Sequence, residues 1–295
     1  MEKPTIMPHH SSLISQDVLQ LMAPKHDNVY YLGPPVDSTA DPKYKYGSVL
    51  RRSEMTVVAE FKGFEPTSRT DQSPKGWIKD PVFQGLADAP AKWQIDAEGA
   101  LWWEFEGSAP AVLWYDGMIR GDHAIWQKTA AMPAQTNLPI KSSTVLAELG
   151  AIWNGIRNLE PGSTDPWWLT LFGFNGWYTG YSGIEYLGHS GTAPDGSTIE
   201  QPLPNGHCIG RQLQLVPQRN YEIFAGRVGS IDFCFVDGES VMEHASSLKR
   251  PDFSQVALTA YGKYEAPVRS RVEECIIYQI PPQAILPFDP RDHRT

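Results

Sequence analysis

The stretch GSIDFCFVDGESVMEH, residues 229–244, decides the fold. Apolar residues alternate with polar or small ones from Ile231 to Phe235, and Asp237-Gly238 then supplies the left-handed backbone conformations of a two-residue hairpin turn. This pattern predicts two antiparallel strands with one apolar and one mixed face. Because such a hairpin belongs to a sheet that is covered on one side, we expect a β-sandwich.

The same rhythm of short strands, each bounded by Gly, Pro, Asp or Asn, runs through the chain from residue 55 onward. Strands are predicted at 55–61, 100–107, 111–117, 123–132, 167–174, 210–217, 221–229, 231–236 and 272–280. In this part of the chain only 143–156 could form a helix, and its β-branched residues and Gly150 count against one. The absence of βαβ alternation favours an all-β, antiparallel sandwich or jelly roll.

The two ends of the chain differ in composition. Residues 1–50 are rich in Pro, His, Asp and Tyr, and are predicted to form an irregular N-terminal arm packed on the domain. Residues 51–295 are predicted to form the sandwich domain, with longer loops at 62–92, 131–143, 157–166 and 190–207.

Charge and cysteine content limit the possible partners and compartment. The net charge is −9 and no basic run occurs, which excludes a typical nucleic-acid footprint. No secretion signal is recognisable and no apolar stretch is long enough to span a bilayer. Cys208, Cys234 and Cys275 are odd in number and lie at strand-like positions, which is typical of buried thiols in a reducing compartment. We therefore expect a cytoplasmic protein without membrane or nucleic-acid partners.

Three segments, 97–132, 176–191 and 208–244, carry a resemblance to a known family. Their motifs, among them ALWWEFEG, GWYTGYSG and the opening hairpin, resemble the YesU-like proteins of the concanavalin A-like lectin and glucanase fold. The resemblance covers roughly residues 75–280 and implies a concanavalin A-like β-sandwich. It also implies a carbohydrate setting, since those bacterial proteins are encoded beside pectin-degradation genes. The ExDxxE strand of the retaining glucanases is absent, so their mechanism is not carried over.

The densest group of chemically active residues is FNGWYTGYSGIEYLGHSG, residues 174–191. Its glycines let the backbone bend, and Tyr, Glu and His exchange protons near neutrality once burial tunes their pKa values. An active site is predicted here, unless the segment is simply a glycine-rich loop with surface aromatics. Its candidate catalytic residues are Tyr178, Glu185 and His189, and its candidate substrate-binding residues are Asn175, Trp177 and Tyr181.

Two further strands place a tryptophan and a charged residue on the same face. Trp114 shares a face with Asp116, and Trp126 shares a face with Lys128. If both faces line one sheet, they form a Trp-walled cleft with a catalytic carboxylate and an ammonium group. The alternative is that both indoles are core residues.

Two other residue groups are candidates. Trp102 lies on the same side of its strand as Glu104 and Glu106, which could be paired glycosidase carboxylates or a solvated face. Arg211 lies on an apolar strand face, where it would pair with Glu185 or bind a substrate oxyanion.

Motifs for bound cofactors are missing. The sequence has no P-loop, no GxGxxG after a strand, no GxSxG and no HExxH, and its cysteines form no CxxC pair. If the protein is an enzyme, we therefore expect it to work without an organic cofactor. A structural calcium ion is possible, although no motif indicates one.

Two functions follow from these features. The first is a cofactor-free cyclase, isomerase or lyase of natural product biosynthesis, which would hold a small, largely apolar unsaturated metabolite in the aromatic cleft and polarise it. The second is carbohydrate binding, or a carbohydrate lyase or hydrolase acting on imported oligosaccharides. Because Trp, Phe, Leu and Met outnumber hydroxyl-binding residues in the strands, the sequence favours the first.

Overall fold

The computed structural model describes part of the chain. The described residues are 29–33, 42–44, 46–65, 73–79, 92–130, 147–155, 171–173, 181–182, 191–192, 198–199, 213–214, 219–229, 231–245, 253–289 and 291.

The described residues are almost all in β-strands. The first ten are β1 (Val29–Leu32), β2 (Ser48–Arg51), β3 (Thr56–Phe61), β4 (Trp77–Lys79), β5 (Lys92–Ile95), β6 (Leu101–Tyr115), β7 (Ile119–Arg120), β8 (His123–Ala130), β9 (Ala147–Gly155) and β10 (Leu171–Gly173). The others are β11 (Tyr181–Ser182), β12 (Gly191–Thr192), β13 (Thr198–Ile199), β14 (Leu213–Gln214), β15 (Asn220–Val228), β16 (Ile231–Val236), β17 (Glu239–Ala245), β18 (Phe253–Gln279) and β19 (Ile285–Pro287). Short 3₁₀ helices span Pro42–Tyr44, Arg52–Glu54 and Pro282–Ala284. In the described ranges no helix is long and apolar enough to cross a membrane.

The chain divides into two compact units, and the smaller comprises Met1–Met55 and Pro281–Thr295. Its three-stranded antiparallel sheet has the order β1-β2-β19. Tyr31, Val49 and Phe288 form its core, with the rings of Tyr31 and Phe288 edge to face at a centroid distance of 5.3 Å.

The larger unit, Thr56–Ile280, is built on one antiparallel sheet. Its strand order is β10-β9-β18-β8-β15-β16-β17; β3, β6 and β7 also pair with β18, and β4 and β5 pair with β6. Two small ribbons, β11-β14 and β12-β13, complete the described strands. The predicted fold class, an all-β antiparallel sandwich of the concanavalin A-like type, is confirmed.

The opening hairpin forms as predicted, but both faces of its first strand, β16, are buried. Val236 pairs with Glu239, and the turn residues Asp237 and Gly238 have φ of +49° and +80°. All of β16 is buried, including Asp232 on the face expected to be mixed. β16 lies inside the sheet between β15 and β17, so neither of its edges is open, and its residues are buried on both faces.

The observed strand pairing corrects two predictions of secondary structure. The predicted strands at 100–107 and 111–117 are one strand, β6, which pairs with β18 on both sides of Pro110. In the described part of the chain, residues 105–112 pair on one edge only, where proline is tolerated. The possible helix at 143–156 is instead strand β9, paired with β18.

Two of the three thiols lie in the core of the larger unit. Cys234 and Cys275 are buried and reduced, and burial raises the pKa of each thiol. They are the inert, structural kind of cysteine. Cys208 lies outside the described residues.

Candidate functional site

One face of the larger unit carries a connected group of polar side chains around an indole, which we call the Trp102 platform. It begins in the turn between β5 and β6 and crosses four neighbouring strands, β6, β18, β8 and β15. Its members are Asp96, Trp102, Lys128, Asn220, Arg271 and Glu273.

Strand alternation places the platform on the outer face. Leu101 and Trp103 are fully buried, whereas Trp102 between them is partly exposed. On β18, buried Val272 separates Arg271 from Glu273 in the same way. The platform side chains therefore point away from the buried residues of β6 and β18.

A tight turn between β5 and β6 orients the indole. Asp96 Oδ1 accepts a hydrogen bond from the backbone N–H of Ala100 at 2.8 Å, and Asp96 Oδ2 accepts one from Trp102 Nε1 at 2.6 Å. Gly99, at φ +85°, lets the chain reverse. Burial acts to raise the pKa of Asp96, but these hydrogen bonds and the charge of Arg271 outweigh it and lower that pKa. Asp96 is thus an ionised acceptor that fixes the ring.

Arg271 covers part of the same ring. It is the register partner of Trp102 across the β6–β18 pair, and its Cζ lies 5.3 Å from the ring centroid. With its edge bonded to Asp96 and one face against a guanidinium, the indole is held in a fixed orientation.

Glu273 joins the cations of the platform. The β18–β8 register shifts between Val272 and Glu274, which leaves Glu273 at a bulge with no opposite residue. Its Oε1 accepts from Arg271 Nη2 at 2.7 Å and from Asn220 Nδ2 at 2.7 Å, and its Oε2 lies 3.1 Å from Lys128 Nζ.

These contacts fix the charge of Glu273. Burial acts to raise its pKa, but hydrogen bonds from Asn220 and Lys128 and the charges of Lys128 and Arg271 outweigh it and lower the pKa. Because its pKa is lowered, the carboxylate is ionised at neutral pH. The side chain is 22% exposed, so a ligand in solvent can reach it. It is therefore unsuited to act as a general acid.

The platform can recognise hydroxyl groups. The Arg271 and Lys128 side chains are 35% and 38% exposed. Glu273 binds Nη2 of Arg271 and the ammonium group of Lys128. Within the described ranges no other acceptor is bonded to either cation, so several N–H groups can donate to a ligand. An aromatic plane beside such donors is the arrangement that binds a polar ring.

Sequence reasoning predicted Trp102 and Lys128 and missed the other four platform members. The predicted strand started at Val272, which left Arg271 outside it and gave Glu273 no partner. The alternation of Arg271 and Glu273 with apolar residues in SRVEEC was the available local signal.

A second polar group was also missed. His123 starts β8 and is fully buried. Its register partner on β15 is Arg227, which is opposite Asp232 of β16. Arg227 Nε and Nη2 donate to the carbonyl oxygen of Gly121 at 3.2 and 3.1 Å, and His123 Nδ1 lies 2.8 Å from the same oxygen. These residues tie the β7–β8 turn to β15, a structural role.

Six predicted site residues lie outside the described residues. They are Asn175, Trp177, Tyr178, Glu185 and His189 of the glycine-rich segment, and Arg211. The backbone of Tyr181 lies in β11, paired with Gln214 of β14, and its side chain is not described. These candidates stay predictions.

The structure buries the two indoles expected to wall a cleft. Trp114 and Trp126 are 1% and 6% exposed. Asp116, at the end of β6, is exposed, and its backbone N–H donates to the carbonyl oxygen of Gly76 at 3.0 Å. No Trp-walled cleft is therefore formed by Trp114 and Trp126.

Comparisons with known proteins give similarity in structure alone. No protein-family model matches the chain, and no curated protein sequence matches it. The chain is similar to the catalytic domain of an endo-1,3-β-glucanase (laminarinase) from Thermotoga petrophila, with 12% identity, a TM-score of 0.46, and coverage of 77% of this chain and 98% of that one. It is also similar to a Bacillus licheniformis β-glucanase (10%, TM-score 0.45, coverage 74% and 98%) and to a carbohydrate-binding module from Bacillus subtilis (9%, TM-score 0.40, coverage 69% and 96%). These structures have the concanavalin A-like lectin and glucanase fold that the sequence resembles.

The prediction of a cofactor-free cyclase, isomerase or lyase for an apolar metabolite is wrong. The cleft on which that prediction depended does not form, because Trp114 and Trp126 are core residues.

Proposed function

We propose that this protein binds carbohydrate, and that a short oligosaccharide lies on the Trp102 platform. One observation carries the proposal: the partly exposed indole of Trp102 is surrounded by hydrogen-bonding side chains. The other indoles with described side chains are buried, namely Trp77, Trp93, Trp103, Trp114 and Trp126.

The chemistry of sugars supports this assignment. A pyranose ring has an apolar C–H face that packs on an aromatic plane, and hydroxyl groups at its rim that need donors and acceptors. The platform offers one indole, the donors of Arg271 and Lys128, and the acceptor oxygens of Glu273 within one connected group. An apolar metabolite would shield the remaining N–H groups of Arg271 and Lys128 from water without accepting hydrogen bonds from them, which costs free energy.

The extent of the platform favours an oligosaccharide over a single sugar. Four adjacent strands, β6, β18, β8 and β15, contribute residues. At about 4.8 Å between neighbouring strands, they span roughly 14 Å across the sheet. A ligand lying across the strands could contact Trp102 at one end and Asn220 at the other.

The test is calorimetric titration of the purified protein with neutral and acidic hexasaccharides. We expect binding by the wild type and a loss of about fivefold in affinity for Trp102→Ala, since an aromatic contact contributes about 1 kcal/mol. Met118→Ala is the matched control, because Met118 is an apolar side chain 66% exposed outside the platform. Absence of binding by the wild type, or equal loss in both variants, would refute the proposal.

A further inference from the structure

We propose that Glu273 sets the charge selectivity of the platform: by holding Arg271 and Lys128 it makes the site accept neutral saccharides and reject acidic ones. This inference rests on the proposed function. It assigns to one carboxylate a role in choosing among carbohydrates.

The geometry gives both cations the same counterion. Arg271 Nη2 and Lys128 Nζ approach opposite oxygens of Glu273, at 2.7 and 3.1 Å. A uronate or sulfate that reached either cation would have to lie beside this ionised carboxylate or displace it. Like charges at such short range repel, and displacing Glu273 would also break its hydrogen bond from Asn220.

The neighbouring strands add further negative charge around Lys128. Its register partners are Glu222 on β15 and Glu274 on β18, so the ammonium group belongs to a row that alternates negative, positive, negative. Glu222 is exposed. At the other end of the platform, the ionised carboxylate of Asp96 lies against Trp102 and acts on Arg271. An anionic ligand therefore meets carboxylates at both ends.

A neutral saccharide meets no such repulsion. Its hydroxyl oxygens can accept from the remaining N–H groups of Arg271 and Lys128 without replacing Glu273. Its hydroxyl hydrogens can be donated to Glu273, whose carboxylate is partly exposed. The two cations thus act as hydroxyl donors whose charge is already balanced.

The decisive variant is Glu273→Gln, which keeps the shape of the side chain and removes its charge. Titrations would use cellohexaose, laminarihexaose and xylohexaose as neutral probes, and hexagalacturonate and hexamannuronate as acidic probes. We expect the wild type to bind a neutral probe and no acidic one. We expect Glu273→Gln to gain at least tenfold in affinity for an acidic probe, with affinity that falls as salt rises.

Glu65→Gln is the control, since Glu65 pairs with Lys75 at 3.1 Å on an exposed surface outside the platform. It should gain no affinity for acidic probes. A folded Glu273→Gln without that gain would overturn the inference. A wild type that binds an acidic probe more tightly than every neutral one would also overturn it, provided that Trp102→Ala weakens this binding. If the wild type binds no probe through Trp102, the proposed function itself fails.

Discussion

The indole N–H of Trp102 donates a hydrogen bond to Asp96 Oδ2 at 2.6 Å, and the same carboxylate accepts the backbone N–H of Ala100 at 2.8 Å. One side chain therefore closes the β5–β6 turn and sets the direction of the ring. A ligand platform on a sheet depends on such support, because an indole without it loses rotamer freedom on binding.

Removing this carboxylate should weaken both the fold and the platform. We expect Asp96→Ala to lower the free energy of unfolding by about 1–2 kcal/mol, since two hydrogen bonds to a charged acceptor are lost. Urea unfolding followed by tryptophan fluorescence measures this. Glu98→Ala is the control, because Glu98 is an exposed residue of the same turn. An Asp96→Ala midpoint equal to that of Glu98→Ala would contradict the supporting role.

The lowered pKa of Glu273 predicts how stability depends on pH. Its folded-state pKa lies below its unfolded value, so its contribution is fully present above the unfolded pKa of about 4.3 and is lost as pH falls through the folded pKa. Wild type should exceed Glu273→Gln in unfolding free energy by about 1 kcal/mol at pH 7, and this difference should shrink below about pH 4. Urea midpoints over this pH range test it. A difference that does not change with pH would show that Glu273 gains nothing from being ionised.

Local patterns in the sequence predicted the hairpin turn and the side chains that share a strand face with Trp102. Asp237-Gly238 predicts the hairpin turn because few residues adopt positive φ, and the turn forms as expected. Alternation around Trp102 predicts which side chains share its face, because successive residues of a strand point to opposite sides.

The platform itself could not be predicted, because long-range pairing assembles it. Trp102, Lys128, Asn220 and Arg271 lie on four strands whose order in the sheet is not their order in the sequence. The bulge that frees Glu273 is a property of the β18–β8 pair and not of either strand alone. Alternation also failed to predict the burial of Trp114. Both faces of β6 are buried at this point, and a period of two residues does not distinguish a buried face from an exposed one.

Two glycines should respond to alanine for different reasons. At Gly238, φ is +80° and a Cβ meets nothing within 4 Å, so Gly238→Ala adds only backbone strain, about 1 kcal/mol. At Gly226, a Cβ would lie 2.3 Å from the carbonyl oxygen of His123 and 2.7 Å from Ala124 Cα on the paired strand β8.

Gly226→Ala must therefore push β15 and β8 apart. We expect it to cost at least 3 kcal/mol, or to prevent folding, while Gly238→Ala folds with a slightly lower melting temperature. Thermal unfolding by circular dichroism compares them. If both variants lost the same stability, the close approach of the two strands at Gly226 would be wrong.

Gln127 lies at the centre of the buried face, between Cys275 of β18 and Ile223 of β15. It is 0% exposed, and in the described part of the chain neither its amide oxygen nor its amide nitrogen has a hydrogen-bond partner. A buried amide without partners costs about 1–3 kcal/mol, so Gln127→Met, which keeps the length and removes the polar atoms, should raise the unfolding free energy by about 1–2 kcal/mol.

Thr129→Val, two residues along the same face, is the matched control. Thr129 Oγ1 donates to the backbone carbonyl of Arg271 at 2.9 Å, so this variant should instead lower stability. Guanidinium unfolding of both variants decides the matter, because a loss of stability in Gln127→Met as large as that in Thr129→Val would mean that the amide is satisfied in solution.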